Sequence, residues 1–290
     1  MKKKRYILFL VFLAIILIGC INQIRRDKIE TTNEDVSLIN KNGEENGNIQ
    51  KITKEDWWYK PKPGISWQLQ LQGNINKSYD VDLYDFDLVE TPKTVIDELH
   101  NKNITVICYI STGSLEEFRN DAKDFPKEVI GKIVAGWPEE KWLDISDYDK
   151  FTDIILSRLN LAVQKECDGI DPDNIQAYQE DSGFPLTYQD QLNYNKWLAD
   201  EAHKRNLSIA LKNDIEQVDD LIDYFDFAIN EQCFYYDECE KLLPFIKHGK
   251  AVLGMEYELK FDEFCEKAIR LNFSWLKMNY DLNGSRISCR

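Results

Sequence analysis

The sequence predicts an α/β fold, a single (β/α)8 barrel of the TIM type. Three observations carry it: short strand-like runs at regular spacing, helical segments between them, and a body long enough to close such a barrel. The strand-like runs fall at residues 67–73, 82–88, 105–111, 142–145, 169–174, 208–213, 227–231, 251–257 and 275–279. That is nine runs for eight places. The run at 142–145 reads equally as a loop element, and the run at 275–279 as the eighth strand or an extra one.

The junctions justify the alternation. Leu99-His100-Asn101-Lys102-Asn103, Ala202-His203-Lys204-Arg205-Asn206 and Ile246-Lys247-His248-Gly249 each put cations in a last helical turn, then Asn or Gly, then a strand-like run. Cations suit the negative end of a helix dipole, and Asn or Gly tolerates the left-handed residue that stops it. All three histidines are thereby placed at helix ends. A catalytic histidine or a histidine-based metal site is not expected, and the chain has no cofactor motif.

Before the barrel the chain reads differently. Lys2, Lys3, Lys4 and Arg5 precede an apolar run at 6–18, and Leu17-Ile18-Gly19-Cys20 resembles the lipobox of bacterial lipoproteins, in which the cysteine is lipidated. The run is shorter than the roughly 20 apolar residues of a membrane span. The expectation is a signal peptide at 1–19, a lipidated Cys20, a flexible polar linker at 20–56 and the barrel at 57–290, held on the outer face of a bacterial membrane. An uncleaved anchor is the alternative.

Charge narrows the partners. The chain carries 36 Lys plus Arg against 51 Asp plus Glu, a net charge of −15, and loss of residues 1–19 would bring it to about −19. Nucleic acid is excluded on that balance, whereas a cationic partner is favoured. Six cysteines follow Cys20, at 108, 167, 233, 239, 265 and 289, enough for three disulfides in an exported chain. Cys233 and Cys239 are the readiest local pair. A monomer is expected.

In a barrel of this kind the chemistry collects at the C-terminal ends of the strands. Residues 167–177 carry Asp171 and Asp173 two apart on a buried strand, so both carboxylates leave one face. Other strand ends bring Gln70, Asp85, Tyr109, Asn174, Lys212, Asn230, Glu231, Glu256 and Tyr257 toward the same rim. Lys212, among so many acids, reads as a counter-charge rather than a nucleophile. Asp173 and Glu231 end strands two steps apart, and a carboxylate pair across a cleft is what glycoside hydrolysis needs. Trp137 and Tyr178 are placed to stack on sugar faces. Asp171-Pro172-Asp173 fails as a calcium loop, because Ile175 stands where the next ligand is needed.

Several blocks in order make the pattern specific. Trp67-Gln68-Leu69-Gln70-Leu71-Gln72-Gly73, Ile107-Cys108-Tyr109-Ile110-Ser111-Thr112-Gly113-Ser114 with Glu116, Arg119 and Asp121, and Gly169-Ile170-Asp171-Pro172-Asp173-Asn174 come first. Leu211-Lys212-Asn213-Asp214, Asn230-Glu231-Gln232-Cys233 with Tyr236, Glu238 and Cys239, and Glu256-Tyr257 follow. Together they resemble the endo-α-1,4-polygalactosaminidases, glycoside hydrolase family 114. The resemblance implies cleavage of a partly deacetylated, hence cationic, galactosamine polymer, with Asp173 as nucleophile and Glu231 as general acid/base. It also implies Gln70, Asp85, Tyr109, Asp171, Asn174, Lys212, Asn230, Glu256 and Tyr257 as sugar-binding candidates. One departure stands out: where the family usually has Glu-Pro-Asp-Asn, this chain has Asp171-Pro172-Asp173-Asn174, with the first carboxylate drawn back. The alternatives are a hydrolase of another amino-sugar polymer and a polysaccharide-binding lipoprotein that does not cut.

Overall fold

The computed structural model describes residues 58–290. The expected signal peptide, Cys20, the linker and Trp57 lie outside the described residues. Eight parallel strands form the barrel: β1 (Trp67–Gln70), β2 (Leu83–Asp87), β3 (Thr105–Ser111), β7 (Gly169–Asp173), β8 (Ser208–Lys212), β9 (Phe227–Glu231), β10 (Val252–Glu256) and β11 (Ser274–Met278). Six helices accompany them: α1 (Lys93–His100), α2 (Thr152–Lys165), α3 (Tyr188–His203), α4 (Val218–Leu221), α5 (Leu243–Lys247) and α6 (Phe261–Arg270). The eighth strand is thus the run near 275–279.

The run at 142–145 belongs elsewhere. It is the end of β6 (Trp137–Leu143), which with β4 (Ser114–Glu116) and β5 (Ile130–Val134) makes a separate antiparallel sheet of order β4-β6-β5 between β3 and α2. A further short strand, β12 (Arg286–Ser288), pairs antiparallel with β11. It fills the seam between the last and first barrel strands. Leu71 N and Gln72 N donate to Leu282 O, Arg286 Nε donates to Gln68 Oε1 at 2.5 Å, and Trp67 Nε1 donates to Ser274 O at 3.0 Å.

The strand period of two divides the apolar residues into two cores. Inside the barrel lie Trp67, Leu69, Leu83, Ile107, Ala210, Phe227, Ile229, Leu253, Met255 and Leu276. Between strands and helices lie Tyr84, Phe86, Val106, Ile170, Leu211, Val252 and Trp275 with Ile155, Leu159, Leu198 and Phe264 of the helices. At Gly169 a Cβ would stand 2.7 Å from Ser208 O and 2.8 Å from Ile107 Cδ1, so β7 presents no side chain to the lower layer. Its next two inward residues are Asp171 and Asp173. The barrel interior therefore changes from hydrocarbon to carboxylate along one strand.

The helix stops follow the sequence reading. Asn103, Asn206 and Gly249 have φ of 59°, 58° and 68°, each just before a barrel strand. The α3 start is a capping box in which Thr187 and Asp190 satisfy each other's backbone N–H. His100 and His203 sit at the far rim from the expected chemistry, each 2.9 Å from a carboxylate, Asp168 and Asp226. They are parts of the barrel's underside.

All six cysteines after Cys20 are paired: Cys108–Cys167, Cys233–Cys239 and Cys265–Cys289. The first ties the middle of β3 to the residue entering β7 and closes 59 residues of chain. Constraining a loop of that length in the unfolded chain contributes typically about 2–4 kcal/mol. The double substitution Cys108→Ser/Cys167→Ser is expected to lower unfolding free energy by that amount in urea titration, with reductant producing no further loss from that pair.

Candidate active site

Lys212 stands at the centre of the barrel mouth. It ends β8, its side chain is 6% exposed, and its Nζ lies 3.2 Å from Asp173 Oδ1, 3.6 Å from Asp171 Oδ2 and 3.8 Å from Glu231 Oε2. Burial works against its charge, but attraction to Asp171, Asp173 and Glu231 outweighs that, and its pKa is held well above the usual lysine value. A buried ammonium with a raised pKa stays protonated at neutral pH. Lys212 is the counter-ion that lets three carboxylates share one mouth.

Each of the two outer carboxylates has a second anchor. Asp173 Oδ2 accepts from the Tyr109 hydroxyl at 2.9 Å. Glu231 Oε1 accepts from the Tyr257 hydroxyl at 2.5 Å, and Oε2 from Asn213 Nδ2 at 2.8 Å. Burial and then the adjacent carboxylate raise the pKa of both phenols, Asp173 for Tyr109 and Glu231 for Tyr257, so both remain donors. Tyr257 is stacked on Tyr280 with centroids 4.4 Å apart.

Local backbone explains why these side chains meet. The residues that follow β7, β8 and β9 are Asn174, Asn213 and Gln232, with φ of 64°, 55° and 65°. A left-handed residue turns the chain off the strand at once, and asparagine tolerates it better than most. The turn at Asn213 sends its amide back across the rim, where its Oδ1 also accepts Glu231 N at 2.8 Å. At Gly113 a Cβ would lie 1.8 Å from Asn174 O, so only glycine lets the β3–β4 turn pass this close to β7.

The cavity above Lys212 encloses about 530 Å³. Tyr109, Asp171, Asp173, Asn174, Lys212 and Glu231 line it from the barrel, Asp87 from β2, and Glu116, Phe118, Arg119, Trp137 and Glu140 from the three-stranded sheet and its turns. Arg119 locks that sheet to the barrel. Its Nε and Nη2 donate to Glu116 at 2.8 and 3.0 Å, while Nη1 and Nη2 donate to Asp87 at 3.1 and 2.5 Å. Phe118 and Trp137 are about half exposed beside it, in position to meet a ligand face.

The structure divides the sequence candidates. Asp173, Glu231, Tyr109, Asp171, Asn174 and Lys212 come together at the cavity, and Tyr257 reaches it through Glu231. Gln70 does not. It faces outward from β1, donating to Gln72 O and Asn74 O and accepting Asn76 N, and so shapes the β1–β2 loop. Glu256 also points away from the interior and accepts Phe234 N at 2.9 Å. Asn230 is buried with its amide 3.4 Å from Asn213 Oδ1, off the cavity surface. Tyr178 packs edge-on against Tyr188 rather than facing the cavity. Asn174 lines the wall, but its amide is bonded to Ser111, Ser114 and Glu140.

Asp85 is below the floor. It is fully buried on the inward face of β2 against Asp171, with no N–H or O–H of another residue to bond its carboxyl, so a hydrogen bond between the two acids requires one of them to carry a proton. Burial first, and then Asp171, push its pKa well above the ordinary 3.8. Burial also raises Asp171, but Lys212 restrains that rise. The arrangement can hold a proton on Asp85 and a charge on Asp171. Glu140, in contrast, carried no sequence signal: it lines the wall beside the carboxylate pair, and burial followed by repulsion from Asp173 brings its pKa up to about 7.

No metal-binding cluster of His, Cys, Asp or Glu occurs among the described residues. A (β/α)8 barrel with two carboxylates around a shared cation, opening on a cavity of sugar size, has the groups that glycoside hydrolysis requires. The model of glycoside-hydrolase family GH114 matches residues 48–290, and the chain belongs to that family. It is similar to the crystal structure of Aspergillus fumigatus Ega3 in complex with galactosamine, at 36% identity over 80% of this chain and 97% of that one, with a TM-score of 0.76. The glycoside hydrolase domain of PelA from Pseudomonas aeruginosa shares the fold at 10% identity, a TM-score of 0.61, and coverage of 79% and 99%. No curated protein sequence matches the chain.

Asp85 supplies a test of the buried charge arrangement. A carboxyl whose folded pKa is raised holds its proton while the unfolded chain releases it, so stability falls as pH rises above the unfolded value near 3.8 toward the folded pKa. Asp85→Asn removes that slope. Urea midpoints measured from pH 4 to pH 8 are expected to decline less with pH in the variant than in the parent, the variant becoming the more stable of the two toward pH 8.

Proposed function

We propose that this glycoside hydrolase cleaves internal α-1,4 linkages of a galactosamine-containing, partly deacetylated polysaccharide, with Asp173 as nucleophile and Glu231 as general acid/base. The observation that carries the reading is the pair itself, two carboxylates ending strands two steps apart and bridged by one ammonium from the strand between them, inside an acidic cavity. Likeness to a protein whose structure holds galactosamine supports the sugar. A polymer bearing ammonium groups would be drawn to a chain of this net charge.

Lys212 Nζ lies 3.2 Å from Asp173 Oδ1 and 3.8 Å from Glu231 Oε2, which limits those oxygens to about 7 Å apart. The carboxyls of retaining enzymes stand about 5–5.5 Å apart and those of inverting ones about 6.5–9.5 Å, so this ceiling is compatible with either, and retention is the outcome that goes with Asp173 as nucleophile. In the first step Asp173, held in place by Lys212 and Tyr109, bonds to C1 of the sugar. Glu231, entering the step in its acid form, gives its proton to the departing glycosidic oxygen and is left as the carboxylate, with Tyr257 and Asn213 fixing its angle. In the second step Glu231 takes a proton from water, which attacks C1 and releases Asp173. Tyr109 and Lys212 hold the nucleophile in one rotamer through both steps.

The same reading places the enzyme on the outer face of a bacterial membrane, anchored by a lipid on Cys20, on the strength of the basic residues 2–5, the apolar run and Gly19-Cys20.

Partially deacetylated poly-α-1,4-galactosamine incubated with the protein is expected to yield oligosaccharides of several lengths. Asp173→Ala and Glu231→Ala are expected to reduce release by about 10²-fold or more. Binding without release by the parent would shift the reading to a polysaccharide-binding lipoprotein. Proton NMR of the first products is expected to show the α anomer before mutarotation, and the β anomer first would mean inversion.

A further inference from the structure

The carboxylates that line the cavity are not equivalent, and their pairing sorts them. Asp171, Asp173 and Glu231 lie within 4 Å of Lys212. Asp87 and Glu116 are bonded to Arg119. Glu90, Glu139 and Glu180 are exposed at the mouth, where water screens them. Glu140 alone among the buried cavity acids has no cation within 4 Å in the described residues. It is 9% exposed, and it is held firmly: Oε2 accepts Ser114 Oγ at 2.9 Å and Asn174 Nδ2 at 3.3 Å. Both of these bonds go to Oε2, none is made to Oε1 among the described residues, and the residue lines the cavity.

We infer that Glu140 is the group that recognises the ammonium of the amino sugar bound at Asp173, and that it sets preference for deacetylated over acetylated units. The inference rests on the function proposed above. Position is the argument. Glu140 is fixed through Asn174, the residue after the nucleophile, and in galactosamine the amino group is on C2, one bond from the C1 that Asp173 attacks. Glu140 and Asp173 line the same cavity and are close enough for their charges to repel, so a substituent on the carbon next to C1 falls in the space the two share. An ammonium there supplies the cation that Glu140 lacks. An N-acetyl group is neutral and larger, and it leaves a buried carboxylate unpaired, which is the kind of mismatch that discriminates strongly.

Several groups face Glu140: Asp173 and Tyr109 from the barrel, Ser114 and Glu116 from β4, and Asn174. On β6 its neighbours are Glu139 and Lys141, and Lys141 is bonded to Glu117. Burial and then Asp173 bring the Glu140 pKa to about 7 in the free protein. A bound ammonium favours the ionised form, so acid below about pH 7 opposes binding.

The test measures the affinity of the full protein for galactosamine and for galactose by NMR titration, in the parent, Glu140→Gln and Glu140→Asp, alongside KM and kcat on deacetylated polymer. The parent is expected to prefer galactosamine by about tenfold or more, a difference of about 1.4 kcal/mol. Glu140→Gln, which keeps an acceptor for Ser114, should lose that preference, raise KM more than it lowers kcat, and abolish the rise of KM below pH 7. Glu140→Asp should retain part of the preference, and it carries the comparison if Glu140→Gln melts early. A galactosamine preference that survives Glu140→Gln overturns the inference, and if the parent still cuts the polymer the proposed function stands without it. Loss of the preference in Glu140→Gln from a parent that cuts no galactosamine polymer supports the inference and removes the endo-hydrolase reading. A parent that shows no preference overturns the inference.

Discussion

The structure depends on one buried ammonium. Three carboxylates from β7 and β9 converge on the barrel mouth, and without Lys212 their mutual repulsion in a water-poor interior would force them apart. With it, each is within 4 Å of the same positive charge. The cation does not need to take part in bond making. Its work is to let acids that chemistry requires coexist where folding would otherwise exclude them.

That cation is itself supported from beneath and around. Below it, hydrocarbon from eight strands fills the barrel, and Gly169 leaves the lower layer free of any side chain from the strand that carries Asp171 and Asp173. Around it, left-handed residues at three successive strand ends stop the strands in step, so that the side chains of neighbouring rims face each other instead of running past. On the outer side, Arg119 joins the three-stranded sheet to β2 through two bidentate contacts, completing a wall that the eight strands alone do not provide.

Much of this was legible in the sequence, for a physical reason. Repeated helix stops with Asn or Gly and short apolar runs are local signals, and the barrel follows from their order. The carboxylates of β7 were legible because two acids at a spacing of two are costly in any buried strand unless something answers them. Facing was harder to read. Gln70, Asn230 and Glu256 end strands just as Asp173 and Glu231 do, but a period of two offers each polar residue either the cavity or the outside, where loop backbone groups bond Gln70 and one oxygen of Glu256. Glu140 was hidden for a different cause. It sits beside another acid in a strand whose antiparallel partner has register shifts, so which of the two faces inward is decided by bulges that no periodicity reports. The closing strand at 286–288 has only three residues and no apolar pattern.

The two walls of the cavity have different architectures. One is the barrel, whose every strand is paired on both sides or sealed at the seam, so that a change in any of them is felt by its neighbours. The other is a small antiparallel sheet spliced into a single connection, paired within itself and joined to the barrel by the Arg119 contacts and by Leu115, Val134, Trp142 and Leu143 in the shared core. A lineage could therefore lengthen, shorten or recharge that second wall while leaving the reacting atoms where they are. The carboxylates around Lys212 stand on strands locked on both sides, whereas Glu140 stands on the inserted sheet, so the two walls of one cavity answer to different constraints.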